Sequence, residues 1–216
     1  RLGPPPPVAQ PMQGDYQPLP RSDEAAFDAL LARRTTCRNF DPQRALPLPL
    51  LAQVLQRTLM AHAVQKVERD TEFLKKNVPS GGGLHPTEGF LLVQNVEGLA
   101  PGLYHYHPVQ HAVLPLPSPP PPSLPALARR MLSGQEWFAD APALLVLAPR
   151  YDRCFWKYRN HAKAHRAVTL DVGHISQLLY LCATERGLAA FVTAAINDAD
   201  VDRAFGFDLS LIHISE

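Results

Sequence analysis

Apolar positions change period several times along the chain, and each change marks a predicted element. Ser22, Asp23 and Glu24 read as a helix start, and Ala26, Phe27, Leu30 and Leu31 form a helical stripe that runs into Arg33 and Arg34. Residues 48–61 repeat the pattern through Leu50, Leu51, Val54, Leu55 and Leu59, with Pro47 and Pro49 suiting a helix entry. Residues 89–96 hold Phe90, Leu91, Leu92 and Val93 between turn residues and predict a strand, and 102–106 with 111–116 predict a hairpin. A short helix is expected around 126–132 and a further buried strand over 143–147. The strongest helical signal spans 165–186, where Val168, Val172, Ile175, Leu179 and Cys182 recur at spacings of 4, 3, 4 and 3 and Leu178 and Leu181 widen the face. Gly187 stops it, residues 188–193 read as a strand, and 198–205 read as a last short helix. A helix so long and so apolar is expected both in the core and in a dimer interface. The layout is mixed α+β.

Composition narrows the function classes. Among 216 residues, 21 Lys and Arg balance 20 Asp and Glu, so no net field holds a polyanion, and nucleic acid is not the expected partner. Cys37, Cys154 and Cys182 are scattered and form no CxxC pair, which argues against a disulfide framework or a cysteine zinc site and fits a reducing, cytoplasmic setting. The longest uncharged stretches, 172–184 and 187–197, fall short of the roughly 20 apolar residues of a membrane span. Of 23 prolines, seven lie in residues 1–20 and eight in 108–125. Residues 1–22 therefore read as a proline-rich arm and 115–125 as a stiff connector inside a domain of residues 23–208. Residues 209–216 read as a non-native tail, and the start at Arg1 predicts that the true beginning lies further upstream.

Three segments carry candidate chemistry. Residues 33–40 place three guanidinium groups and two hydroxyls at a helix end, which suits a phosphate or a flavin pyrimidine edge and equally suits a solvated basic helix end. Residues 79–86 hold three successive glycines between two prolines, a backbone that can approach a ligand closely or serve as a plain turn. The run lacks both the Lys-Ser/Thr ending of a P-loop and the GxGxxG spacing of a dinucleotide fold. Lys157 and Tyr158, in an aromatic setting of Tyr151, Phe155 and Trp156, can act as base and proton donor, or the lysine can simply snorkel from an apolar shelf. His161 with His165 and His105 with His107 could in principle meet at a metal, but no glutamate completes a zinc-protease helix, and no metal is expected. No GxSxG elbow accompanies Ser80, so hydrolase chemistry has no support.

In order, Arg34-x-Thr36-x-Arg38-x-Phe40, the 79–93 block PSGGGLHPTEGFLLV with GLYHYHP, then WKY, then Leu170-Asp171-Val172-Gly173-His174 and Leu188-Ala189-Ala190 resemble the nitroreductase superfamily of FMN proteins. The pattern is most similar to its SagB-type branch, the peptide-maturation dehydrogenases that oxidise azolines to azoles. The resemblance covers roughly residues 25–208 and lies in the order of the blocks. It implies an α+β nitroreductase-like fold, a central mixed or antiparallel sheet flanked by helices, and a homodimer with FMN at the subunit interface. It implies FMN contacts from Arg34, Thr36 and Arg38, from Ser80, Gly81 and Gly82, and from Ala194 and Ala195 near the flavin N5, where the family often has glycine. Alanine suits those last positions only at negative φ. It implies Lys157 as the base with Tyr158 as its partner, a precursor peptide as substrate, and a cyclodehydratase-type partner. An NAD(P)H-dependent nitro- or quinone reductase of the same fold, or a silent flavin- or peptide-binding subunit, is the alternative, and the final electron acceptor stays open.

Overall fold

The computed structural model describes residues 7–9, 13–67, 71–159 and 162–207. Helices α1 (Ala26–Arg33) and α2 (Leu48–Thr58) precede a hairpin of β1 (Ala61–Val67) and β2 (Thr71–Lys76). Strands β3 (Thr87–Val93), β4 (Gly102–His107) and β5 (Ala112–Leu116) follow, then helix α3 (Leu124–Met131), strand β6 (Ala143–Pro149), and helices α4 (Tyr151–Tyr158), α5 (Lys163–Glu185) and α6 (Asp198–Phe205). The four longer-range strands form one sheet in the order β5-β4-β3-β6, and every pairing in it is antiparallel.

Strand β3 shows why the sheet is central. It pairs on both edges, with Leu92 opposite Leu103 and Leu144, so its side chains bury alternately on two faces. Leu92 joins the cluster with Leu124, Leu127, Met131, Val201 and Phe205 from α3 and α6. Leu91 and Val93 join Leu51 and Leu55 of α2, Leu59 just past its end, and Ile175 of α5 on the other face. Helix pairs on both faces of one sheet make a three-layer α+β domain. Leu91, Leu92 and Val93 are fully buried, and truncating Leu92 to Ala would cost about 2–5 kcal/mol. A third cluster, Leu84, Cys154, Ala164 and Val168, lies where α4 and α5 meet the turn after β2.

Most predicted elements stand where the periodicity puts them, and α6 matches residue for residue. Five readings need correction, the first being helix α4 (Tyr151–Tyr158), an element the sequence analysis does not contain. Residues 188–193 form no strand, because their backbone is bonded elsewhere: Cys37 N–H donates to Ala190 O at 3.0 Å and Val192 N–H to the Tyr180 hydroxyl at 2.9 Å. The β1–β2 hairpin is absent from the sequence reading, since β1 is exposed at every position after Ala61 and so carries no period-2 apolar signal. Helix α2 ends at Thr58, so residue 61 belongs to that hairpin. Helix α1 begins at Ala26 rather than at Ser22, with Asp28 Oδ2 accepting the Ala25 N–H at 2.8 Å. Among the described residues no helix is long and apolar enough to cross a membrane.

Candidate functional site

The glycine turn is held from below by a buried carboxylate. Asp171, on α5, is only 4% exposed, and a charge at such depth is costly unless its acceptors are used. They are: Ser80 Oγ donates to Asp171 Oδ2 at 2.5 Å, and Gly81 N–H donates to Oδ1 at 3.0 Å. Ser80 Oγ also accepts the His85 N–H at 2.9 Å, closing the turn. Gly82 has a φ of 67°, in the left-handed region that glycine adopts without a Cβ penalty.

Helix α4 brings its C-terminal end against the other side of the same turn. Lys157 Nζ donates to the Gly82 carbonyl oxygen at 3.0 Å. A Cβ on Gly82 would stand 2.8 Å from Lys157 Nζ and 2.9 Å from the Tyr158 hydroxyl oxygen, and one on Gly81 would stand 2.9 Å from the Ala167 Cβ. The turn is thus a cradle without room for side chains, and it brings Ser80, Gly81, Gly82, Lys157 and Tyr158 into one cluster. Arg153, one turn back on α4, ties the far end down by donating to Leu84 O at 2.6 Å and Glu72 O at 2.9 Å. Beneath the turn, Lys76, Ser80, His85, Thr87 and Asp171 line a cavity of about 10 Å³, room for one water beside the buried Thr87 hydroxyl, which has no partner among the described residues. Burial, and then the Lys76 charge, push the His85 imidazole down to about 4, and burial lowers Lys76 to about 8.

Arg34, Thr36 and Arg38 form a second cluster, away from the turn. Arg34 stacks over the Tyr180 ring at 5.3 Å, Arg38 over Phe191 at 5.6 Å, and Arg34 Nη1 lies 3.5 Å from Thr36 Oγ1. Among the described residues neither arginine has a carboxylate within ion-pair distance. Ala194 and Ala195 lie in the exposed segment that follows Phe191, and neither takes a positive φ. Ala195 is fixed at both backbone groups, its N–H donating to Thr193 Oγ1 at 3.0 Å and its carbonyl accepting from Gln135 Nε2 at 2.9 Å.

The two clusters meet α5 at opposite sides. Asp171 and Tyr180 are nine positions apart, two and a half turns, which places them on opposite faces and about 13 Å apart along the axis. The arginine segment and the glycine turn therefore meet α5 at different positions along it, Arg34 at Tyr180 and Gly81 at Asp171. On the solvent face of α5, Leu170 is 62% exposed and Gly173 has open space where a side chain would stand.

Asp171 and Arg153 carry much of this geometry, and the sequence reading gave neither a role. Asp171 had a signal, since the buried line of α5 is Ala164, Val168, Asp171, Ile175 and Cys182, a carboxylate on an apolar stripe. The predicted stripe ran through Val172 and Leu179, which are only half-buried. Arg153 had none, because its partners are backbone carbonyls 69 and 81 positions away. The histidines do not converge: His105 pairs with Glu88, His107 Nδ1 accepts the Gln110 N–H, and His165 packs on Tyr151 and Phe155. His161 lies outside the described residues.

Residues 31–214 match the model of the Nitroreductase family. The chain is 30% identical over 183 residues to the nitroreductase-type protein MJ1384 of Methanocaldococcus jannaschii, spanning 85% of each. It is 30% identical over 145 residues to the Microcin B17-processing protein McbC of Escherichia coli, covering 64% of this chain and 51% of the relative. It is 32% identical over 142 residues to the Trifolitoxin-processing protein TfxB of Rhizobium leguminosarum, covering 63% of this chain and 37% of that one. The chain thus spans about half or less of the two peptide-processing relatives. Among solved structures it superposes on a chain of the E. coli microcin synthetase McbBCD complex with truncated pro-MccB17 bound, at a TM-score of 0.63 and 27% identity over 79% of this chain and 61% of the other. A nitroreductase-fold protein of Ralstonia eutropha matches in fold at a TM-score of 0.65, with 20% identity over 88% and 80% of the two chains.

Proposed function

The chain belongs to the nitroreductase family, whose members usually bind flavin, and from that premise we propose that it is an FMN-dependent dehydrogenase of ribosomal peptide maturation, oxidising azoline rings to azoles. One observation carries the reading: Lys157 and Tyr158 both meet the glycine turn at Gly82, so a base and a hydroxyl stand together at a close-approach backbone. A reductase that only passes electrons between a nicotinamide and a quinone has no use for that pair. The resemblance to peptide-processing relatives points the same way.

The residues present suit the cofactor. Arg34, Arg38 and Thr36 offer charged and hydroxyl donors without a counter-ion among the described residues, as a phosphate and ribityl chain need, and the tight turn at Ser80, Gly81 and Gly82 suits a flat ring system. Ala194 and Ala195 complete the first set. Bound FMN would supply the acceptor for the electron pair that leaves the substrate carbon. Lys157 takes the proton from that carbon, and Tyr158 holds a proton beside it. Asp171 beneath the turn and Tyr180 beneath Arg34 are half a helical rotation apart on α5, which favours a site shared between two copies of the chain, and the exposed Leu170 and Gly173 face supports an α5 contact in that homodimer. The substrate is a precursor peptide, delivered by a cyclodehydratase-type partner.

A second reading, an NAD(P)H-dependent nitro- or quinone reductase, is favoured by the match along most of the length of MJ1384. The deciding experiment loads the chain with FMN, desalts it, records absorbance near about 450 nm, and then follows loss of two hydrogens from an azoline peptide by mass spectrometry. Retained flavin with ring oxidation that Lys157→Ala abolishes supports the dehydrogenase. Retained flavin with nitro-reduction that survives Lys157→Ala supports the reductase, and no flavin sinks both.

A further inference from the structure

We propose, on the reading of Lys157 as the base, that Asp171 is a positioning residue: its buried carboxylate sets the placement of the Ser80–Gly82 turn, and the Gly82 carbonyl in turn sets where Lys157 Nζ stands. The path is continuous. Asp171 Oδ2 accepts from Ser80 Oγ at 2.5 Å and Oδ1 from Gly81 N–H at 3.0 Å, and one residue further along the turn Gly82 O accepts from Lys157 Nζ at 3.0 Å.

The path also has no slack. On the α5 side, the ideal Cβ position of Gly81 lies 2.9 Å from the Ala167 Cβ, and on the α4 side that of Gly82 lies 2.8 Å from Lys157 Nζ. The turn is in close contact with both helices at these two residues, so a displacement at Asp171 is passed on toward Lys157. Arg153 fixes the turn's far end at Leu84 O, at 2.6 Å, which leaves Asp171 as the control on the near end. Packing alone does not call for a carboxylate here. Val168 and Ile175, one turn away on either side, are apolar and buried, and among the described residues Asp171 is the only carboxylate in the buried set. Its charge is tolerated because both oxygens are spent on the turn.

The test uses Asp171→Asn and Ser80→Ala in the full chain. Asn keeps the shape but sets an amide N–H against a donor of the turn, and Ala removes one tie while leaving the Gly81 bond. With FMN and an azoline peptide, D171N is expected to lower kcat about 100-fold, the scale of a misplaced reacting group, with KM within about twofold. A readout without flavin separates positioning from general damage. In trace acylation of the flavin-free chain followed by peptide mass spectrometry, Lys157 should react about fivefold faster in D171N, the worth of one lost hydrogen bond, while Lys66 and Lys75 keep their wild-type rates. S80A should move Lys157 the same way by less. Unchanged Lys157 labelling in a folded D171N overturns the proposal. If D171N labels all its lysines faster, it has unfolded and S80A decides: selective Lys157 labelling supports the proposal, and wild-type labelling overturns it. Selective Lys157 labelling in a wild-type background that oxidises no peptide upholds the positioning and overturns only the assignment of Lys157 as base.

Discussion

At the glycine turn, the contacts run to a buried carboxylate, to a helix end and to backbone atoms, all at or below 3.0 Å. At the arginine segment, the guanidinium groups rest on the Tyr180 and Phe191 rings at 5.3 and 5.6 Å, and among the described residues no carboxylate lies within ion-pair distance of them. The first region is assembled by folding itself, so damage there should reach stability and chemistry together. The second keeps its donors unspent, so the same chain can fold without a ligand, and damage there should appear only as lost affinity. Hydrogen-bonding capacity used inside the fold stabilises it, and capacity left over is available to a ligand.

Substitutions can break that contrast, and the largest effect is expected at the centre of the assembled region. Lys157→Ala should lower the turnover of ring oxidation by about 100-fold or more, the usual worth of a positioned base, with flavin absorbance retained. Gly82→Ala should follow. It forces a side chain into a φ of 67° and against Lys157 and Tyr158, and urea unfolding should show a loss of about 1–3 kcal/mol alongside reduced turnover. Arg34→Ala or Arg38→Ala should each weaken FMN binding about tenfold in a flavin titration, more at low salt than at high, as for an exposed ionic contact. In the flavin-free chain the same changes should leave stability within about 0.5 kcal/mol, and a larger loss would erase the distinction between the regions.

A separate effect concerns pH. Burial beside Lys76, opposed by Asp171, with Arg153 and Lys75 also acting against the charged form, lowers the folded His85 from 6.5 to about 4. Between those values the unfolded chain binds a proton that the folded chain refuses, so stability is complete above about pH 6.5 and declines as pH falls toward 4. His85→Gln should flatten the urea midpoint between pH 7 and pH 5 relative to wild type. An unchanged slope would mean that His85 is not what makes the assembled region acid-sensitive.

Legibility differed between the two regions for a related reason. The glycine run, the lysine-tyrosine pair and the arginine segment are each short and continuous, so their residue types announce them. What joins them is not local. Asp171 meets Ser80 across 91 positions and Arg153 meets Leu84 across 69, and no spacing rule covers such pairs. The β1–β2 hairpin was missed because an exposed ribbon needs no apolar alternation, and the strand expected over 188–193 failed because Tyr180 and the Cys37 backbone took the hydrogen bonds that a ladder would have used.

By itself the sequence determined the elements whose apolar period is strong. These are β3, α5 and α6, the α+β order, and the three segments that carry candidate chemistry, all set by short-range burial and backbone preference. Only the tertiary structure decided which face of α5 is buried, that Asp171 rather than Val172 lies on it, and that the turn meets α5 at Asp171 while Arg34 meets it at Tyr180. Those outcomes depend on which partner each polar group finds once distant segments meet, because a buried donor or acceptor must be satisfied by whatever the fold places beside it.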